Sequence, residues 1–361
     1  MATQSDALTA RPPSEAPPPA SVGVLGWLRE NLFNSVPGAI LTVVSAYFLY
    51  VILRVLLRFL FIQADWEVVT SNLTLYAIGQ YPRDQAWRTV ASLGVVVVLS
   101  AASMLFWKRY KSTRRVLIGL WLLSPFVVWI LLSGIEGWSF LPPVRTQLWS
   151  GLLLTIMLTV VGIGASFPLG VLLALGRRSD LPIIKVLSTV YIEAIRGVPL
   201  ISVLFMAQVM LPLFIGAEID VVIRAMAGVT LFSAAYLAEI VRGGLQAIPK
   251  GQVEAADALG LSALLVTGLI VLPQAFRIVI PAIVGQFISL FKDTTLVSII
   301  TLLDLLGIAS AAMSQNPEFQ AHKMEVFLFV ASIYFVLSYI MSSAARRIEA
   351  STSGMGGTSR I

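Results

Sequence analysis

The sequence predicts an all-α, polytopic transmembrane helical protein of about eight spans, and three observations carry the prediction. Of 361 residues 57% are hydrophobic and only 12% are charged, where soluble globular chains carry about 25% charged residues. Mean hydropathy is +0.88. The few charges are unevenly spread, leaving charge-free windows at Asn31 to Leu53, Thr89 to Trp107, Val116 to Ile135, Thr146 to Gly176, Gly197 to Ala217 and Val326 to Ala345. Each is long enough to cross a hydrocarbon layer about 30 Å thick, which takes a helix of about 20 residues.

The chain opens with Arg11-Pro12-Pro13-Ser14-Glu15-Ala16-Pro17-Pro18-Pro19, too polar and proline-rich to bury. Residues 1–36 are therefore read as a disordered cytoplasmic tail. No basic region leads directly into an apolar core with a small-residue cleavage site, so a cleaved signal peptide is not expected. Spans follow near 37–56, 89–107, 116–134, 149–175, 197–216, 220–241, 278–300 and 325–345. Ala258 to Phe276 is also free of charge, but Gly268 and Pro273 interrupt it, and a ninth span would put Arg346 and Arg347 outside. It reads as a short helix lying against the membrane surface.

Orientation follows from Lys and Arg, because cationic loops are retained in the cytoplasm. With the N-terminus inside, inner segments collect 17 of the 25 basic residues, including Lys108-Arg109-Tyr110-Lys111-Ser112-Thr113-Arg114-Arg115, Arg177, Arg178, Arg346 and Arg347. Outer segments hold 7, and Lys292 lies at membrane depth. Both termini are expected in the cytoplasm. Arg54 and Arg58 fit this worst and are assigned to an interfacial helix whose long side chains snorkel toward headgroups.

Composition excludes much chemistry. Without Cys there is no disulfide, thiolate nucleophile or thiolate metal site, and the single His322 builds no histidine-rich cluster, so no metal is expected. A net charge of +6 would suggest nucleic acid in a soluble chain. Beside apolar spans, basic loops instead reflect orientation, so no nucleic-acid partner is expected.

Between two spans lies Gly251-Gln252-Val253-Glu254-Ala255-Ala256-Asp257-Ala258-Leu259-Gly260, followed by Ile270-Val271-Leu272-Pro273. Physically this is a short helix, a break at Gly260 where left-handed backbone is allowed, and a second helix leading to a proline. Such a cytoplasmic helix–break–helix is a docking knob. Its spacing resembles, at every defined position, the EAA loop of permease subunits of bacterial ABC importers. Similarity to the polar amino-acid branch of that family extends through Glu193-Ala194-Ile195-Arg196-Gly197-Val198-Pro199-Leu200, Ala238-Glu239-Ile240-Val241-Arg242-Gly243-Gly244 and Phe291-Lys292-Asp293-Thr294-Thr295-Leu296. It covers roughly residues 146–349, and the added N-terminal spans resemble the longer permease of a general L-amino-acid transport system.

The resemblance implies a five-span ABC type I importer core at 146–349 with its coupling loop at 251–273, extra spans at 37–145 and a cytoplasmic tail at 350–361. It implies a transport subunit that is not itself an enzyme. Glu254, Ala255, Ala256 and Gly260 would fit a groove on a separate ABC ATPase, which would bind ATP and Mg, leaving this chain without a cofactor. The absence of a Gly-x-x-x-x-Gly-Lys-Ser/Thr phosphate loop agrees. Further implied partners are a homologous second permease, in a heterodimer, and a periplasmic or extracellular amino-acid-binding protein, all at the bacterial inner membrane among its lipids.

Four further groups of residues stand out. Glu193 with Arg196 and Glu239 with Arg242 are acid–base pairs at helical spacing, read as helix-end anchors or as ties whose separation changes on gating. Lys292 and Asp293 interrupt an apolar run, where charge is costly unless it pairs or faces a cavity. With the hydroxyls of Thr294 and Thr295 they are candidates for a substrate path lined by a broken helix, offering both signs to an amino-acid zwitterion. Gly162, Gly164 and Gly170 allow close helix packing. Trp87, Trp138 and Trp149 fit interfacial belts.

Two alternatives need other features. An ion-coupled secondary transporter, the runner-up, would show an internal repeat, and nothing in 37–134 echoes 149–349. A membrane enzyme would need a nucleophile and base near one another, and no such set is present.

Overall fold

The computed structural model of the chain describes residues 23–106, 111–216 and 218–353. Among these the regular structure is helical, apart from one isolated β-bridge between Gly151 and Asp304. The Pro-rich run Arg11 to Pro19 and the basic residues Lys108 and Arg109 lie outside the described residues. Seven helical stretches are long and apolar enough to cross a membrane, or eight if the bent pair Pro182–Arg196 and Leu200–Ile215, which turns by 110°, is one span.

The chain divides at Asp65 into two compact units. The first contains α1 (Val24–Asn31) and α2 (Val36–Arg58). Helix α1 falls within the stretch expected to be a structureless tail. Its sequence VLGWLREN gathers Val24, Trp27 and Leu28 at helical spacing. Helix α2 starts at Ser35, whose hydroxyl accepts from the Gly38 N–H at 3.2 Å, with a proline in the first turn. Arg54 and Arg58 do not form a separate interfacial helix. They belong to α2 itself, which runs on through a π-helical turn at Phe59–Gln63 to make one 28-residue span.

The second unit begins at Trp66. Two short helices, α3 (Glu67–Thr70) and α4 (Leu73–Ile78), precede the hairpin of α5 (Trp87–Phe106) and α6 (Lys111–Ser133). The core then comprises α7 (Gly151–Arg177), α8 (Pro182–Arg196), α9 (Leu200–Phe205), α10 (Leu211–Ile215), α11 (Val221–Gln246) and α12 (Lys250–Ala258). After these come α13 (Ala263–Leu265), α14 (Leu272–Asp293), α15 (Leu305–Gln315), α16 (Pro317–Ala321) and α17 (Lys323–Ser353). Helix α17 thus reaches four residues into the expected C-terminal tail.

Helices α7 and α11 form the central pair. Their approach depends on Gly170: a Cβ there would lie 2.7 Å from Leu237 Cβ and 3.0 Å from the Ala234 carbonyl, distances only a hydrogen can fill. Gly162 faces Leu290 and Val229, whereas Gly164 borders open space. Helix α14 packs on α11, α17 and α7. The outer segment 66–150 packs on this core, with Val68, Val69 and Tyr76 in one apolar cluster with Leu305, Ala309 and Val330, and with Tyr76 edge to face with Phe329 at 5.1 Å. Trp149 is fully buried and meets Trp129 edge to face at 5.0 Å. It is a core residue and not part of an interfacial belt, unlike the exposed Trp87 and Trp138.

The short helix expected at Ala258 to Phe276 does not stand by itself, because most of it runs on into the helix that follows. Residues Ala263–Ile300 form one 38-residue apolar stretch. Pro273 does not break it, because a π-helical turn at Val266–Val271 precedes the proline, with the Leu272 N–H donating to the Thr267 carbonyl, and Pro273 sits in the first turn of α14. The chain breaks earlier, at Gly260, whose φ is +74°.

Candidate coupling and translocation site

The first element is α12 with its terminating turn. Only Ala256 of this helix is buried, and it joins an apolar cluster with Ala174 of α7, Ile192 of α8, Val241 of α11 and Ala275 of α14. Glu254, Ala255 and Gly260 are exposed. Leu259 at the tip is 79% exposed, an apolar residue placed where a partner would cover it. The positive φ at Gly260 lets the chain reverse directly after this tip. One small side chain, with a 3.4 Å bond from Gln274 Nε2 of α14 to Gln252 Oε1, therefore holds the knob to the core while Glu254 and Ala255 stay open.

At the same end of the core, α7, α8 and α11 are tied by charge. Glu239 on α11 accepts from Arg242 Nε at 3.0 Å and Nη2 at 2.8 Å, the i,i+3 pair expected. It also accepts from Arg177 Nη1 at 2.5 Å. The local pair expected between Glu193 and Arg196 does not form. Glu193 accepts from Arg177 Nη2 at 2.8 Å, while Arg196 points across to Glu239, 3.7 Å away, with its guanidinium 5.4 Å from the Tyr236 ring centre. Arg196 is the last residue of α8, where the chain turns sharply, and the aromatic face of α11 draws its side chain away from its own helix. Arg177 is the hub, and the sequence reading missed it. Its only sequence signal is its position as the first cation after the charge-free window ending at Gly176.

The third element is the end of α14. At Asp293 the helix tightens into a 3₁₀ segment, Thr294–Ile300, and stops at Thr301 with φ of 70°. That left-handed conformation is costly for a β-branched residue. Asp304 then caps α15, accepting from the Gly307 N–H at 2.8 Å and the Tyr334 hydroxyl at 2.9 Å. Lys292 is exposed and Asp293 half-buried, with Ser289 Oγ at 3.4 Å from its carboxylate. Thr295 is half-buried and donates to the Lys292 carbonyl at 2.9 Å. Thr294 differs from its neighbours: it is fully buried and donates to the Phe291 carbonyl at 2.8 Å, so it faces the chain's own interior and not an open path.

Among the described residues no group of three or more His, Cys, Asp or Glu is placed to hold a metal ion. The arrangement offers an exposed knob, an ionic knot among helix ends, and an acid and a base at a helix break within an apolar stretch.

Comparison with known proteins gives a consistent result. The model of the family described as binding-protein-dependent transport system inner membrane component matches residues 166–354. The inner membrane amino-acid ABC transporter permease protein YhdY of Escherichia coli K12 is 41% identical, over 93% of this chain and 96% of that protein. The glutamate/glutamine/aspartate/asparagine transport system permease protein BztC of Rhodobacter capsulatus is 32% identical, over 96% and 98%. A chain in a crystal structure of an amino acid ABC transporter with histidines superposes with a TM-score of 0.50 at 31% identity, covering 55% of this chain and 91% of that one.

Proposed function

Since the chain belongs to the family of binding-protein-dependent transport system inner membrane components, we propose that it is the permease subunit of an ATP-driven amino-acid importer, coupled through α12 to a separate ATPase. It is a multi-pass inner membrane subunit and not a catalytic enzyme, and the ion-coupled reading finds no support in the family or its relatives. The observation that carries the coupling role is the form of α12: anchored by the buried Ala256, open at Glu254 and Ala255, and tipped by the exposed Leu259 before Gly260.

The substrate path is completed by a second permease. Lys292 is exposed beside Asp293, at the end of a helix whose same side carries Gly285 and Ser289 and leaves open space at Gly285. A charge in hydrocarbon costs several kcal/mol, roughly 2.5–3.5 on insertion scales, so this side faces a polar cavity closed by another subunit. There the Asp293 carboxylate receives the ammonium of an amino acid, while Lys292 and the Thr295 hydroxyl receive its carboxylate. A homologous permease in a heterodimer, and an external amino-acid-binding protein delivering solute, complete the machine, with ATP and Mg held by the ATPase. Both termini lie in the cytoplasm on the distribution of basic residues.

Reconstitution tests this. Vesicles holding this chain, its partner permease and the ATPase should take up amino acid on addition of ATP and binding protein, and dissipating ion gradients should leave uptake unchanged. In this Cys-free chain a cysteine at Gln252 should crosslink to one in the ATPase groove. Gradient-driven uptake by the chain alone would sink the proposal.

A further inference from the structure

At the helix break that follows Asp293, Tyr334 of α17 touches both ends at once. Its hydroxyl donates to the Asp304 carboxylate at 2.9 Å, and the same oxygen lies against the hydroxyls of Thr294 and Thr155. Thr294 opens the 3₁₀ segment directly after Asp293, and Asp304 caps α15 after that segment has stopped at Thr301. Thr155 belongs to α7, where its hydroxyl accepts from the Leu305 N–H at 3.0 Å, one residue past the cap. Thr155, Thr294 and Asp304 are fully buried, and the Tyr334 ring meets that of the buried Phe291 at 5.0 Å. One phenol oxygen therefore joins the start of the break, its end and the central helix α7.

The backbone itself holds this stretch weakly. It leaves α-helical bonding at Thr294, runs as a 3₁₀ segment and ends in left-handed backbone at Thr301, and 3₁₀ hydrogen bonds have poorer geometry than α-helical ones. A shift of the break would carry Asp293 and Thr295 with it, because they flank its first residue. Groups that recognise a ligand must be held within about 0.5 Å of their productive geometry by partners behind them. We propose that Tyr334 is a positioning residue for solute recognition: by clamping the break from the buried side, its hydroxyl fixes where the Asp293 carboxylate and the Thr295 hydroxyl are presented. The inference rests on the reading of Lys292, Asp293 and Thr295 as the substrate path. Tyr334 itself touches no solute, and it acts through Thr294 and Asp304.

The test uses the purified complex of this chain with its partner permease and ATPase, and reads equilibrium binding of an equimolar mixture of radiolabelled proteinogenic L-amino acids in the absence of binding protein. Tyr334→Phe keeps the ring on Phe291 and removes the hydroxyl. It should raise the half-saturating concentration about tenfold in a complex recovered at wild-type yield. Thr294→Val, which removes the neighbouring hydroxyl at the start of the break, should shift it in the same direction. Asp293→Asn should raise it by a similar factor, and the double variant Asp293→Asn with Tyr334→Phe by no more than the larger single effect, since the hydroxyl works through the carboxylate. A role confined to stability would lower the yield of Tyr334→Phe and leave the half-saturating concentration of the recovered complex unchanged. That result, with Asp293→Asn still shifted, would overturn the proposal and leave the path reading standing. So would a double variant in which the two factors multiply. An unchanged half-saturating concentration in Asp293→Asn, or a wild-type complex without saturable binding, would remove the path itself and the positioning role with it.

Discussion

Replacing Arg177 by Gln removes the one side chain that joins α7 to both α8 and α11. The stronger contact is with Glu239, at 2.5 Å between side chains 25% and 16% exposed, where a charge-assisted bond contributes about 1.5–3 kcal/mol. Glu193 lies 2.8 Å away but is 57% exposed, so screening limits that pair to about 0.2–1 kcal/mol. Glu239 is not stranded, because Arg242 still engages both its oxygens. A loss of about 2–3 kcal/mol is expected, confined to the helix ends and too small to abolish insertion. If the tie holds α7, α8 and α11 together in the resting importer, a 2 kcal/mol loss raises the separated population about thirtyfold. ATP hydrolysis without solute or binding protein should then rise while uptake per ATP falls. A double-mutant cycle of Arg177→Gln and Glu239→Gln on unfolding stability should give a coupling of about 1.5 kcal/mol or more. A coupling below about 0.5 kcal/mol, within the additivity expected of independent sites, together with unchanged basal hydrolysis, would refute the hub.

Other perturbations probe the frame around it. Gly170→Val should prevent α7 from closing on α11 and lose stably inserted protein, since overpacking of this kind costs about 1–3 kcal/mol or more, whereas Gly164→Ala should be silent; equal behaviour of the two would contradict the close approach. Cysteines placed at the exposed Ser112 and Ser139 should be labelled from opposite sides of the membrane, and labelling from one side would overturn the orientation. Thr301→Gly should raise the unfolding midpoint by relieving about 1 kcal/mol of left-handed strain, and an unchanged midpoint would mean the strain is absent. Burial pushes the Asp304 carboxyl above its ordinary range, against the opposing pull of the Gly307 N–H and Tyr334 hydroxyl. The protonated form is thus favoured on folding, and stability should decline as pH rises from the unfolded carboxylate value through the folded one. Asp304→Asn should flatten that slope, and a slope that persists would locate the titration elsewhere.

The spans were legible because desolvation acts on every residue of a window at once, and the sum over about 20 residues overwhelms local detail. Ala258 to Phe276 shows where that logic fails. Gly268 and Pro273 read as breakers by propensity, yet a π-helical turn removes the need for the missing proline N–H, and the apolar helical stretch runs on to Ile300. Trp149 misleads for a related reason. Trp at a span end is an interfacial signal only if nothing covers it, and here Ile78, Tyr81, Leu132 and Val144 of the outer segment cluster with the ring and bury it.

The site was legible wherever its geometry is local to one helix and illegible wherever a side chain chooses between helices. Glu239 and Arg242 pair as spacing dictates because α11 runs on past both of them to Gln246, with no competing turn of the backbone. Glu193 and Arg196 have the same spacing and do not pair, because Arg196 ends its helix beside Tyr236 and a second carboxylate. A surface i,i+3 pair stabilises by only about 0.2–0.5 kcal/mol, so any partly buried alternative across a helix interface wins. Arg177 is that alternative for Glu193, sixteen residues away in sequence and 2.8 Å away in space. Charges near span ends in such chains are therefore better read as a set shared among helix termini than as neighbouring pairs, and the member with the fewest local partners, here Arg177, is the first to examine.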